Sequence, residues 1–484
     1  MESVKSIVVV GGGTAGLIAA TILRSRLNIR VDIIRSKNIG IIGVGEGSTE
    51  HFSDYLKFLN INPYDMIKEC DATYKSGIMF RDWGDKDYLH SVVSKFDTNY
   101  SQYRYFYARQ IADDVNYLSY RSYWNNHINK WFLNKPEEVP FAQFHFNTYK
   151  LNDYISNMAE RMGINIINDE INDIELGEDG SIKSISGNKK YEYDFYIDST
   201  GFKRLLIDKL GAKWQSYSKY LKMKSAITFE TPDTDEYNLW TLAKAMDAGW
   251  MFRIPVWGRY GNGYIFDSDY ITKEQAQEEV EKYLGYSVDI GKHFNFDSGH
   301  LDKAWIKNCC AIGVSSGFVE PLEASSIGTT IQQSFVLMNK ILNYNNDVIG
   351  RYNNTFNHIM DNIRDFISLH YITNRDDTGF WRDISKLELP KSLETNLNIW
   401  KYRLPIDEDF NSLSNYVLFK SSNHIIVLNG LNLFDRESVK QEFKSNHENV
   451  QSEAHRAAFD LPMFENNIST MEHKKYLDMI RSYF

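Results

Sequence analysis

Ile7-Val8-Val9-Val10-Gly11-Gly12-Gly13-Thr14-Ala15-Gly16-Leu17-Ile18-Ala19-Ala20-Thr21-Ile22-Leu23 is the stretch on which the fold turns. A continuous β-branched run that ends in glycines reads as a buried strand over residues 6–10, because a strand covered on both faces shows no polar alternation. Glycines 11 to 13 then give a tight turn, and the apolar run 17–23 continues as a helix. A second strand, Val31-Asp32-Ile33-Ile34, follows at the distance of a βαβ crossover, a connection that is right-handed and parallel in nearly all proteins. The expected fold class is α/β with a Rossmann-like dinucleotide-binding module. Within it, Gly11-x-Gly13-x-x-Gly16 would let backbone N–H groups and a helix N-terminus approach a pyrophosphate.

Outward from this unit, residues 39–49 (Ile39-Gly40-Ile41-Ile42-Gly43-Val44-Gly45-Glu46-Gly47-Ser48-Thr49) are too glycine-rich for a helix and read as a loop packed against a ligand. A helix is expected over 149–162, with strands at 164–168, 181–186 and 192–198. The last strand runs into Asp198-Ser199-Thr200-Gly201-Phe202, placing Asp198 at the carboxyl end of a sheet, where open α/β sheets bind ligands. Strands near 223–230, 250–255, 263–267 and 308–314 precede helices at 326–343 and 350–371. Residues 372–484 read as helix-rich. No repeat, heptad array or low-complexity linker interrupts the pattern.

A chain of 484 residues with 43% apolar content can bury a large core. The net charge of -10 and the lack of a dense Lys/Arg block argue against nucleic acid as a partner and for a small or neutral substrate. The three cysteines, Cys70, Cys309 and Cys310, include two neighbours whose side chains point to opposite faces of a strand, so a reducing, cytoplasmic setting fits best. The first residues lead straight into the glycine loop and read as a strand, not as a signal peptide. No apolar stretch approaches the roughly 18–20 residues of a membrane span, so no membrane association is expected. The twelve histidines show no metal-ligand spacing, and no metal is expected.

Several segments over roughly residues 5–330 resemble the flavin-dependent halogenases of the tryptophan-halogenase type. Gly43-Val44-Gly45-Glu46 is similar to that family's flavin-strap segment, and Asp198-Ser199-Thr200-Gly201-Phe202 to its turn near the flavin. Trp305 to Gly313, followed by Gly317-Phe318-Val319-Glu320-Pro321-Leu322-Glu323, is the longest match. Gly249-Trp250-Met251-Phe252-Arg253-Ile254-Pro255 resembles the Trp-x-Trp-x-Ile-Pro signature, with Phe252 in place of the second tryptophan. Thr73-Tyr74-Lys75-Ser76-Gly77 resembles the setting of the family's lysine.

The resemblance implies FAD, used as FADH2, together with O2 and a halide, and a halogenated aromatic product. It assigns Gly11, Gly13, Thr14, Ala15, Gly16, Gly43, Val44, Gly45, Glu46, Asp198, Gly201 and Gly313 to the flavin. It assigns halide binding to the backbone of Ser325 and Ser326, and an aromatic wall between flavin and substrate to Trp250, Phe252 and Pro255. Lys75 and Glu323 become the catalytic pair: the amine takes up hypohalous acid, and the carboxylate polarises the oxidant or accepts the ring proton. Burial would lower the pKa of such an amine. A separate flavin reductase would supply FADH2 to this cytoplasmic enzyme. Whether it forms a homo-oligomer stays open, as does its choice among chloride, bromide and iodide, because Ala324-Ser325-Ser326 stands where the family has Ser-Thr-Gly.

The expected organisation is a discontinuous FAD/halide module, 1–105 with 160–335, and a mainly helical substrate module, 106–159 with 336–484. Arg35 ends the second strand where an acidic residue usually meets the ribose. It would suit a 2′-phosphate, stack on adenine, or stand in solvent. Three other readings compete: a flavin monooxygenase that hydroxylates its substrate, a flavin-binding protein without turnover, and a hydrolase suggested by Gly313-Val314-Ser315-Ser316-Gly317, which needs a helix directly after the serine. Trp381, Trp400, Tyr402 and the aromatics at 103–124 could line a substrate cavity or fill a core.

Overall fold

Val10, Arg35 and Asp198 end three parallel strands on one side of a sheet: Ser6–Val10 pairs with Phe195–Asp198 on one side and Arg30–Arg35 on the other. The structure, a computed structural model, describes residues 3–41, 43, 46–91, 108, 111, 130–132, 143–234, 237–413, 416–452 and 470–483. Six strands make this sheet, in the order Trp305–Ile306, Cys309–Ala311, Phe195–Asp198, Ser6–Val10, Arg30–Arg35, Asn165–Asn168. All pairings are parallel except that of the edge strand Trp305–Ile306. Cys309 and Cys310 are both fully buried. Their side chains leave opposite faces of one strand, so both faces of the sheet are covered there.

Helix Thr14–Arg26 has Leu17 to Leu23 buried all round, because helices Ser325–Met338 and Thr148–Arg161 both pack against it. Asn147 starts Thr148–Arg161, its side chain accepting from the backbone N–H groups of Tyr149 and Lys150. These elements belong to a compact unit made of residues 1–71, 146–221 and 296–363.

The second unit comprises residues 72–145, 222–295 and 364–484. Its seven-stranded sheet has the order Ile290–Asn295, Ser225–Pro232, Arg259–Phe266, Gly249–Val256, Trp240–Met246, Gly77–Arg81, Tyr88–Ser91. Helix Lys273–Leu284 covers it through Ala276 and Val280, packed with Ile227, Phe229, Met251 and Tyr264. A Thr272/Gln275 capping box opens that helix and left-handed Gly285 closes it. The segments therefore group differently from the expected 1–105/160–335 and 106–159/336–484 division. Gly77–Arg81 pairs in parallel with Trp240–Met246, a long-range pairing that carries residues 72–91 and 222–295 into the unit that also holds the C-terminal helices.

Most expected elements form with shifted ends. The helices at 326–343 and 350–371 are Ser325–Met338 and Asn346–His370, and the 263–267 strand starts earlier, at Arg259. The strand expected over 308–314 is only Cys309–Ala311, because Gly313 takes a left-handed conformation (φ 69°) and opens a short 3-10 turn. Trp381 and Trp400 are core residues: their indole nitrogens donate to Met246 O and Asp409 Oδ2, both at 2.8 Å. Tyr402 is 70% exposed, so it is no core residue. The aromatics at 103–124 all lie outside the described residues.

Candidate active site

At the carboxyl edge of the six-stranded sheet lies a cavity of about 740 Å³, within the size range of small-molecule sites. Gly11, Gly12, Gly13, Thr14 and Ala15 form one wall. Gly11 has φ 115°, and a Cβ there would stand 2.1 Å from the Ser199 carbonyl oxygen. A Cβ on Gly16 would stand 2.2 Å from the Gly11 carbonyl oxygen, so Gly16 sets the distance between helix and strand. Gly13 is different: it caps helix Thr14–Arg26 without a side chain, and a Cβ there would meet nothing within 4 Å. The first turn of that helix carries no acidic residue, and its N–H groups lack intrahelical acceptors. Open space at Gly13, a helix N-terminus and a close-packed turn fit the pyrophosphate of a dinucleotide such as FAD.

Arg35 lies over this turn. Its Cδ would be 2.3 Å from a Cβ on Gly12, and its Nη1 donates to Ser156 Oγ at 3.0 Å. Asp32, three residues earlier on the same strand, is fully buried and accepts from Arg30, Tyr193 and Asn165. It has no role at the cavity. The acidic residues that line the cavity are Asp153, Asp169 and Glu170, the last of them just past the neighbouring strand. Sequence reading missed Glu170, because strand Asn165–Asn168 reaches Arg35 only through sheet pairing.

Asp198 does not line the cavity. Its carboxylate is fully buried and accepts from Thr200 N and Oγ1 and from the backbone N–H groups of Leu206 and Ile207. It shapes the turn that brings left-handed Gly201 to the cavity wall. Gly313 is similarly indirect, since a Cβ there would come 2.5 Å from Ala15 Cβ. Gly43 is packed on Thr148. Val44 and Gly45 lie outside the described residues, and of Glu46 only the short strand Glu46–Gly47 is described.

Ser325 and Ser326 open helix Ser325–Met338, and Ser326 stands on the cavity wall. Ala324 turns the chain into that helix in a left-handed conformation (φ 52°), an uncommon one for alanine. Glu323, in the 3-10 turn Pro321–Glu323, is buried at 3% exposure. Ser315 is fully buried, donates to Gly201 O at 3.2 Å and sits in a 3-10 turn followed by strand Gly317–Phe318. The helix a nucleophile elbow needs is absent there, which removes the hydrolase reading.

Lys75 belongs to the second unit. It is 2% exposed, at the end of strand Thr73–Lys75, whose partner is Gln143–Phe146. Trp250 and Phe252 project from one face of strand Gly249–Val256, with ring centroids 6.1 Å apart. Phe252 lies over Gly263 on the next strand, where a Cβ would strike its ring at 2.5 Å. The Trp250 indole N–H is buried and has no acceptor among the described residues. Thr73 Oγ1 donates to the Pro255 carbonyl at 2.7 Å, so the lysine strand and the aromatic strand are joined.

Two histidines that sequence reading missed complete this cluster. Thr73 Oγ1 spends its only proton on Pro255, so its 3.2 Å contact with His145 must be donated by Nδ1–H. His145 Nε2 then accepts from Thr241 Oγ1 at 2.9 Å. Burial holds this imidazole well below the usual histidine range, and the charge of Lys75 adds to the effect. His473 is likewise neutral, pushed down to about 3 by burial. Neither has a sequence motif; each is visible only once strands and helices are placed.

Among the described residues no group of three or more His, Cys, Asp or Glu is placed to hold a metal ion, and no helix is long and apolar enough to cross a membrane. The profile of the family described as tryptophan halogenase matches residues 6–444. The 7-chloro-L-tryptophan 6-halogenase KtzR of Kutzneria sp. (strain 744) is 30% identical over 450 residues, 83% of this chain and 86% of its own. Among solved structures, Tar14, a tryptophan C-6 flavin-dependent halogenase (chlorinase) from taromycin biosynthesis, superposes with a TM-score of 0.87 at 26% identity, over 99% of this chain and 100% of its own. Xcc4156, a flavin-dependent halogenase from Xanthomonas campestris, gives 0.84 at 26%, covering 99% of both chains.

Proposed function

The chain belongs to the tryptophan halogenase family, and we propose which of its residues carry each part of the reaction. It is a flavin-dependent halogenase, an oxidoreductase that uses FADH2, O2 and a halide and acts on an aromatic ring. Bound as FADH2 and supplied with O2 and halide, the flavin provides hypohalous acid. Gly11, Gly13, Thr14 and Ala15 hold its pyrophosphate, with Gly16 setting the approach of the helix. Arg35 and Glu170 meet the adenosine, while Gly43, Val44, Gly45 and Glu46 strap the flavin. Asp198, Gly201 and Gly313 shape the wall.

The N–H groups of Ser325 and Ser326 hold the halide, since the start of a helix favours an anion. Trp250, Phe252 and Pro255 form an apolar wall on the unit of Lys75 that excludes the organic ring but lets a small oxidant pass. The Lys75 amine receives the oxidised halogen, and Glu323 accepts the proton that the ring releases. The burial of Lys75 carries this reading, because a lysine without a function at its tip stays in water. A separate flavin reductase supplies FADH2, and the enzyme works in the cytoplasm. Tryptophan, named in the relatives, is the first substrate to test, followed by other indoles and phenols.

Purified protein mixed with chemically reduced FAD, air, bromide and tryptophan or the wider panel is expected to give a product heavier by one bromine in place of hydrogen. A product carrying oxygen without halogen would replace this reading with a hydroxylase.

A further inference from the structure

We propose that His473, at the start of helix His473–Tyr483, is a positioning residue for Lys75, acting through the backbone N–H of Tyr74. The inference rests on the reading of Lys75 as the group that receives oxidised halogen.

The geometry is a closed bracket. The Tyr74 N–H, which can only donate, reaches His473 Nε2 at 3.2 Å across 399 residues of sequence. The Tyr237 carbonyl, which can only accept, lies 3.3 Å from His473 Nδ1. Those two partners fix the tautomer: the proton is on Nδ1 and the lone pair on Nε2. Two residues beyond Tyr237, the Leu239 carbonyl accepts from the Ser76 hydroxyl at 2.7 Å. Segment 237–239 thus holds the residue after Lys75 directly and the residue before it through one imidazole. Tyr74 also stacks on that imidazole, with centroids 5.9 Å apart.

Beside this bracket, Thr73 Oγ1 on the Pro255 carbonyl and the Ser76 N–H on the Leu239 carbonyl hold the three-residue strand at its two ends. Its one described ladder partner is Gln143–Phe146, and the Tyr74 N–H is satisfied by a side chain instead. A buried backbone donor must find an acceptor, and here the acceptor also decides where the next side chain points. Displacing a reacting group by about 1 Å can cost about 10²-fold in rate, so the bracket bears on capture of the oxidant as well as on the fold.

The test compares His473→Gln with His473→Asn. The glutamine amide reaches the position of Nε2 and keeps an acceptor for Tyr74, whereas the asparagine amide reaches only that of Nδ1 and keeps only Tyr237. Both are polar substitutions that leave the rest of the helix intact. With FADH2, O2 and bromide, the readout is the ratio of brominated substrate to hypobromous acid caught by an added scavenger. His473→Asn is expected to lower that ratio by about tenfold or more while total oxidant per FADH2 stays unchanged, and His473→Gln is expected to keep it near the wild-type value. In flavin-free protein, amide exchange over residues 72–78 should be faster in His473→Asn than in His473→Gln.

Equal ratios in all three proteins, or exchange over 72–78 that does not differ, would overturn the proposal. Lys75→Ala is the control: if it still brominated substrate as the wild type does, the reading of Lys75 would fail instead, whatever the histidine variants showed.

Discussion

Thr73 and Pro255 are joined by a hydrogen bond from hydroxyl to carbonyl at 2.7 Å, and through it the strand that ends in Lys75 is fixed to the strand that carries Trp250 and Phe252. The same hydroxyl accepts from His145 Nδ1. Thr73→Val keeps the shape and removes both contacts, leaving a buried carbonyl and a buried imidazole N–H unpaired. Each such group costs roughly 1–3 kcal/mol. Urea unfolding should show a loss of that order, and Thr73→Ser should recover most of it. A Thr73→Val protein as stable as the wild type would mean that the hydroxyl contributes nothing.

The glycine loop gives a sharper contrast. Gly11→Ala would place Cβ 2.1 Å from a backbone oxygen at φ 115°, so it should destabilise the protein with or without flavin. Gly13→Ala puts Cβ into open cavity. It should leave the melting temperature of flavin-free protein unchanged and weaken FAD by at least about tenfold, or roughly 1.4 kcal/mol, in a fluorescence titration.

Arg35 is expected to act on the adenosine half alone. In the same titration Arg35→Ala should weaken FAD and leave FMN, which lacks adenosine, unaffected. Equal losses for both would place Arg35 elsewhere on the flavin.

Acid stability follows from three fully buried neutral histidines, His145, His424 and His473. Burial is the leading cause in each, and it pushes His424 and His473 down to about 3. Unfolding returns each to the ordinary range near 6.5, so between about pH 3 and 6.5 the unfolded chain binds the proton and the native chain does not. Stability therefore falls as pH drops through that window, by about 1.4 kcal/mol per pH unit for each histidine, and is insensitive to them above pH 7. His473→Gln should reduce the proton uptake on unfolding near pH 5 by about one; an unchanged uptake would show that His473 is already charged in the native protein.

What could be read from the sequence was local. The strand, glycine turn and helix of residues 6–26 are set by neighbours in the chain: a β-branched run, three glycines, an apolar run. Lys75 and the Trp250–Pro255 segment stand out in the sequence only through their likeness to family motifs. The parallel pairing of Gly77–Arg81 with Trp240–Met246 was not, because neither strand carries a mark of its partner. His145 and His473 were hidden for the same reason: a buried histidine that meets backbone groups from distant segments has no spacing to recognise. Asp198 was found at the right end of the right strand, yet its carboxylate faces the turn that follows rather than the cavity, a distinction that only the positions of Thr200, Leu206 and Ile207 reveal.

The most direct test of the central claim is the fate of oxidant in Lys75→Ala. With chemically reduced FAD, O2, bromide and an accepted aromatic substrate, product and scavenged hypobromous acid are measured together by mass spectrometry. The account predicts that the variant forms as much oxidant as the wild type, releases it to the scavenger and brominates no ring at the enzyme's own position. Product at the wild-type rate and position would show that the buried amine takes no part.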